Sequence, residues 1–300
     1  MSDLNFQLCG KFRLVAVNAD TGEERVLADW FDNIITDNGL NLIGTDGFAL
    51  YSAHVGSGSA APSISQTQLQ TLVASTTSRT SVVKGIAPSA PYYRWTRTVH
   101  RFAAGAAAGN LSEVGIGAGA TSLFSRALIK DGLGAPTTIT VLSNEFLDVS
   151  YEVRVYSPTA DVTGSITISG TPYNFVMRAA RVNFDDNGGV GSWADNVGVS
   201  APQRVSQVKS YIGVLGSVTG EPANETDDGV ATNLNYTAGN FYRDANLQFG
   251  LDDGNNAAGI TAMQIVASLG YFQCSFTPAI PKDSSKQVSI TTRISWARRS

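Results

Sequence analysis

From residue 148 to 156 the chain alternates without exception. Val149, Tyr151, Val153 and Val155 fall on one side of an extended backbone, and Ser150, Glu152 and Arg154 fall on the other. A period of two with one wholly apolar side is a strand with one buried face, and such a strand needs hydrogen-bonded neighbours. The residues before it supply them. Residues 109–119 and 123–129 are β-compatible runs, while Asn110 and the Gly/Pro-rich stretch 131–136 are turn chemistry, so residues 109–156 predict consecutive antiparallel strands.

The same pattern extends in both directions. Residues 11–17 and 25–31 flank the turn formers Asn18, Asp20, Thr21 and Gly22, which predicts an N-terminal hairpin. Thr36 is placed to cap a short helix ending at Gly44, with Leu40 and Ile43 on its apolar side, and a Ser-x-x-Gln box at Ser65 predicts a second short helix through Leu72. In residues 92–102 Tyr93, Trp95 and Val99 read as the apolar side of a long strand, and Arg94, Thr96 and His100 as a solvated basic side. Pro158 interrupts the periodicity after Tyr156, which puts a domain boundary at residues 157–161. Strands resume at 165–169 and 173–182. Residues 221–232 read as an exposed excursion, and Val288, Ile290, Thr292, Ile294 and Trp296 form one face of a last strand.

The second half echoes the first in five ordered landmarks. Residues 241–243 match 92–94, Gly254 and Asn255 match Gly109 and Asn110, Phe272 matches Phe124, 280–282 match 129–130, and 288–296 match 149–156. The expectation is therefore an all-β protein of antiparallel, sandwich-like sheets with two or three short helices. It divides into an N-terminal domain (1–157) and a C-terminal domain (158–300), whose landmarks mark either a degenerate repeat of the first or a chance likeness.

Composition agrees with sheets. Charged residues make up only 15% of the 300, Gly is frequent, and the net charge of −4 offers no general attraction to nucleic acid. Two cysteines, Cys9 and Cys274, are too few for a disulfide framework and read as free buried thiols. No apolar run is long enough for a membrane helix and the start lacks a leader pattern, which predicts a chain made and assembled in a cytoplasm without membrane insertion.

Several segments carry a resemblance. The pattern from Trp30 to Leu40, the run 101–105, the core Asn110-Leu111-Ser112-Glu113-Val114-Gly115-Ile116-Gly117, the block 124–129 and the strand ending at Tyr156 resemble virion structural proteins of tailed bacteriophages, described as tail, tail-fibre or baseplate components. The resemblance covers mainly residues 26–156. It implies a non-enzymatic structural component of a virion, working by assembly with other virion proteins and with copies of itself, as a trimer or a hexamer. A rival reading is a receptor- or carbohydrate-binding protein of the same particle that contacts a host-surface glycan. A third is a polysaccharide depolymerase.

No residue set insists on catalysis. Residues 115–120 fit G-x-G-x-x-A, but no strand, helix and distal acid surround them as a dinucleotide site needs. The carboxylate pairs Asp185-Asp186, Asp227-Asp228 and Asp252-Asp253 lie among Gly and Asn, and read as turns rather than as a glycosidase acid and base or a Ca²⁺ loop. His54 and His100 have no nucleophile elbow beside them. No cofactor or metal is implied. The candidate assembly residues are Tyr93, Arg94, Trp95 and Arg97, and Trp193 is the candidate glycan contact.

Overall fold

The computed structural model describes residues 3–47, 49–184 and 204–299. It is an all-β protein, as the alternation requires. The first half contains β1 (Asp3–Asn18), β2 (Glu24–Asp32), β3 (Ile34–Ile35), helix α1 (Asp37–Asp46), β4 (Ser52–Gly56), β5 (Leu72–Thr76), β6 (Arg79–Ile86), β7 (Tyr93–Phe102), β8 (Gly109–Leu111), β9 (Glu113–Gly119), β10 (Ser122–Leu128), β11 (Ile139–Val141) and β12 (Glu145–Tyr156). The second half contains β13 (Val162–Ile168), β14 (Thr171–Ala180), β15 (Val205–Tyr211), β16 (Glu225–Asn233), β17 (Tyr242–Phe249), β18 (Asn256–Ala267), β19 (Gly270–Lys282) and β20 (Val288–Arg298).

The two halves repeat one pairing pattern. In the first, β1 pairs β2, β3 pairs β10, β10 pairs β9, β9 pairs β4, β4 pairs β5, β6 pairs β7 and β7 pairs β12, all antiparallel. In the second, β13 pairs β14, β14 pairs β19, β19 pairs β18, β18 pairs β15, β15 pairs β16, β16 pairs β17 and β17 pairs β20, again all antiparallel. The strand β16 pairs β15 along its first part and β17 along its second, the two tasks that β5 and β6 share in the first half. Residues 221–232, expected as an excursion, thus lie largely in a strand that ties neighbouring strands together.

The halves differ in how the circuit ends. In the first, β12 pairs β1 antiparallel along Gln7 to Asn18. In the second, β20 runs parallel to the start of β1, from Asp3 to Leu8, and leaves β13 at the end of the sheet path. The expected boundary at 157–161 falls in the β12–β13 connection, yet β1 joins both halves into one hydrogen-bonded path, and one buried cluster includes Phe12, Tyr151 and Phe124 together with Phe272, Ile294 and Trp296.

The helix follows its sequence signals and stops two residues late. Thr36 Oγ1 accepts from the Gly39 N–H at 2.9 Å, Leu40 and Ile43 are buried, and Gly47, at φ 70°, ends the helix. The other half meets two of its carbonyls: Trp296 Nε1 donates to Leu40 O in mid-helix at 2.7 Å, and Arg243 donates to Gly44 O, one of the carbonyls left over at the C-terminal end, at 2.9 Å.

The second expected helix is absent, so the described fold has one helix rather than two or three. Residues 65–71 form turns and irregular backbone. Their donors are already taken: the N–H groups of Gln70 and Thr71 donate to the Glu113 carboxylate at 3.0 and 2.7 Å. Half of such a box forms two residues earlier, where Gln66 Oε1 accepts from Ser63 N–H at 2.7 Å.

In β12 the apolar side points inward as expected, with Val149, Tyr151 and Val153 fully buried. Truncating Val153 to Ala leaves an unfilled space opposite Gly10 and is expected to cost about 1–3 kcal/mol in a urea unfolding titration.

Candidate functional site

The strand β7 is inverted relative to its sequence reading. Arg94, Thr96, Thr98, His100 and Phe102 are buried, while Tyr93, Trp95, Arg97, Val99 and Arg101 are only partly covered. The register with β12 imposes this: Arg94, Thr96, Thr98, His100 and Phe102 lie directly opposite Val155, Val153, Tyr151, Val149 and Leu147. Side chains opposite one another share a face, so the apolar side of β12 draws the polar residues of β7 inward.

The four candidate assembly residues therefore separate. Tyr93, Trp95 and Arg97 share the outer face; Arg94 does not. Its guanidinium packs 5.1 Å from the centre of the Tyr271 ring and donates to Phe184 O at 3.4 Å, a contact with the second half. Arg94 is thereby corrected from an exposed interface residue to one that is only 4% exposed.

On the outer face, arginines and aromatic rings interleave. The Arg97 guanidinium lies 4.7 Å from the Trp30 ring centre and 5.3 Å from that of Trp95. It also donates through Nε and Nη2 to Glu152 Oε2 at 3.1 and 2.6 Å. Arg154 takes the other oxygen of Glu152 at 2.7 Å and lies 4.7 Å from the Tyr93 ring. Four residues further along β7, Arg101 makes a paired contact to Asp148 at 2.7 and 2.6 Å and faces the Phe146 ring. The Arg101 guanidinium is held more firmly protonated by its bond to Asp148. For Arg154 burial works against the charge, but the bonds to Glu152 and Tyr156 outweigh it and raise the pKa.

The geometry has local causes. A Cβ on Gly85 would lie 2.7 Å from the Trp95 ring, so only glycine on β6 lets the indole lie across the neighbouring strand. Charge-assisted bonds and ring contacts fix long side chains that would otherwise lose rotamer freedom on binding. The result is a half-exposed surface of restrained arginines and aromatics. Trp30, Glu152 and Arg154 escaped the sequence reading because they come from other strands, although the alternation of β12 already placed Glu152 and Arg154 on the side away from the core.

The remaining candidates resolve into structure. Residues 115–119 lie in β9, and a Cβ on Gly117 would lie 2.3 Å from Ser122 O, so this glycine allows the close approach of β10 and cradles no phosphate. Asp227 accepts from Gly254 N–H, Asp228 pairs with Lys209, and Asp253 accepts from Gly250 N–H. Asp185, Asp186 and Trp193 lie outside the described residues. Cys9 is part-buried and Cys274 buried, neither in a disulfide, and burial raises both thiols, Cys274 to about 12. Among the described residues no group of three or more His, Cys, Asp or Glu converges as metal ligands, and no helix is long and apolar enough to cross a membrane.

His54 joins two serines. Ser52 Oγ donates to Gly117 O, so it accepts from His54 Nε2 at 2.8 Å, which leaves Nδ1 to accept from the exposed Ser75 Oγ at 2.8 Å. A serine beside an imidazole is half of a nucleophile system, but here the second nitrogen meets a hydroxyl rather than a carboxylate, and burial lowers the imidazole to about 4. Such a ring is a poor proton acceptor near neutral pH.

No family model, curated protein or solved structure matches the chain.

Proposed function

We propose that the protein is a non-enzymatic structural component of a tailed-phage virion, in its tail, and that it docks other virion proteins through the outer face of β7 and β12. The virion reading rests on the resemblance across residues 26–156. The assembly reading rests on one observation: Arg97 held between Trp30 and Trp95 and tied to Glu152. Tryptophan, tyrosine and arginine are the residues on which binding energy concentrates, and they serve best when they are rigid before the partner arrives.

Trp95→Ala and Arg97→Ala in one chain should reduce its incorporation into particles by roughly tenfold or more, since each loss at a hot spot is worth about 1–2 kcal/mol. The fold should persist. Arg97 and Trp95 are half-exposed, and Glu152 keeps Arg154 as a partner. Quantifying the chain in purified particles, beside a thermal melt, tests the reading. Normal incorporation by a folded double variant would refute it.

A further inference from the structure

We propose that β13 is the pairing edge for a second copy of this chain, giving a two-fold dimer centred on Ser165. This inference is independent of the docking face proposed above, because β13 lies at the opposite end of the sheet path.

The edge is open because of how the second half ends. In the first half, β12 covers the long edge of β1. The corresponding strand of the second half, β20, is taken by β1 in parallel, so among the described residues β13 has a neighbour, β14, on one side only. The sheet's other end, β6, contains Arg79 and Lys84, charges of the kind that keep an edge from pairing with another chain. In β13 the sequence is Val-Thr-Gly-Ser-Ile-Thr-Ile, without a charge or a proline, and β-branched at five of seven positions.

The phase of the β13–β14 ladder tells which backbone groups point outward. The strands are joined by Ser169 and Gly170, with φ of 49° and 83°, a two-residue turn flanked by the pair Ile168 and Thr171. That flanking pair exchanges hydrogen bonds, and so do Ile166 with Tyr173, Gly164 with Phe175, and Val162 with Met177. Pro172, opposite Thr167, agrees with this phase because it has no N–H to offer. Thr163, Ser165 and Thr167 therefore turn their N–H and C=O groups to the open side.

These three residues are spaced evenly about Ser165. Turned by a two-fold axis, the edge meets itself with Thr163 opposite Thr167 of the second copy, Ser165 opposite Ser165, and every outward donor facing an acceptor. Self-complementarity is what singles out a second copy. A different strand would need both the same phase and an uncharged sequence, whereas a second copy has both. The side chains suit the arrangement, since Thr163 and Ser165 border a shallow trough of ≈ 450 Å³ with Asn174, Val176, Ser275 and Thr277, polar but uncharged apart from the ion pair of Arg178 with Asp161 nearby. Nothing there repels a like surface.

Ser165→Pro tests the edge directly. It removes an N–H that no intramolecular bond uses, at a strand position where proline is tolerated, so the monomer should fold while the dimer weakens by roughly tenfold or more. Thr163→Lys with Thr167→Lys leaves the backbone intact and places like charges opposite one another across the axis, with the same expected effect. Sedimentation equilibrium on the whole chain gives the association constant, and circular dichroism checks the fold. A dimer lost in the lysine variant, with folding unchanged, supports the proposal. A wild-type chain that stays monomeric at high concentration, or a dimer that persists in the folded lysine variant, overturns it.

Discussion

Arg126→Met should lower the unfolding free energy by about 3–5 kcal/mol, the largest loss expected from any single substitution in this chain. Both Arg126 and Glu113 are fully buried, and Arg126 donates through Nε and Nη2 to Glu113 Oε2 at 3.0 and 2.7 Å. The carboxylate also accepts from the backbone N–H groups of Gly58, Gln70 and Thr71. Burial alone would push the Glu113 carboxyl up, but the Thr71 N–H, the Arg126 guanidinium and the Gln70 N–H outweigh it and hold its pKa below the usual value. Without the guanidinium the charge stays in the interior with only dipoles to balance it. The loop suffers as well, because Arg126 also donates to Gln66 Oε1 at 2.6 Å and to Ala60 O at 3.1 Å.

Two measurements check this. Urea titrations should show the loss, and limited proteolysis should cut the variant within residues 57–71 before the parent. Glu113→Gln added to Arg126→Met should cost less than the sum of the single changes, since the pair shares one interaction. A loss below about 1 kcal/mol in the single variant would mean that the ion pair is not what holds the carboxylate.

Glu113 and Arg126 also show where sequence reading reached and where it stopped. Both lie in the segments that carry the phage resemblance, and the β-compatible runs between turn residues there identified strands. Nothing local revealed that the two charges meet, because their diagonal contact, with Arg126 opposite Gly115 and Glu113 opposite Leu128, depends on the register of β9 and β10, and that register is shifted by an irregularity between Ser122 and Ser125. The same limit explains β7. Arginine, threonine and tyrosine fit either face of a strand, so its own sequence did not fix its sides, and its partner β12 did. Where one face was apolar or nearly so and the other polar, as in β12 and β20, the sides were legible without a partner.

Topology was harder still. The parallel contact of β20 with β1 joins the two ends of the chain and has no local signature, since it is closed by residues almost the whole length of the sequence apart. Three of the five landmarks lie in corresponding strands of the shared pairing pattern, β17 with β7, β19 with β10 and β20 with β12, whereas Gly109 and Asn110 lie in β8 against a connection at Gly254 and Asn255, and 129–130 follow β10 where 280–282 still lie in β19. Their spacing drifts mainly between the last two landmarks, where the first half inserts residues 131–144 with β11 and the second passes from β19 to β20 through residues 283–287.

Acid should unfold the protein in two stages, and the first belongs to the histidines. His54 and His100 are almost completely buried, and burial lowers both from 6.5 to about 4, with the nearby Arg79 and His54 adding to the effect at His100 and the backbone of Tyr51 and Leu50 opposing it. Above pH 6.5 neither ring is charged in the folded or the unfolded chain, so neither affects stability. Below it the unfolded chain takes up protons that the folded chain refuses, and stability falls until the folded rings also protonate near pH 4. At its largest the loss is about 3 kcal/mol for each histidine. The carboxylates follow. Glu113 and Glu145 are held below their usual pKa, Glu145 by the Leu142 N–H and Arg25 acting against its burial, and their contribution is lost only as pH falls below about 4.5. Unfolding titrations from pH 7 to pH 4 should therefore show stability dropping before any carboxylate titrates. Replacing His100 by Gln should make the drop roughly half as steep whatever it does to stability at pH 7, because one proton fewer is linked to unfolding. A parent protein whose stability is level between pH 6.5 and 5, or a variant with an unchanged slope, would show that the imidazoles reach water and that the inward side of β7 is wetter than its burial indicates.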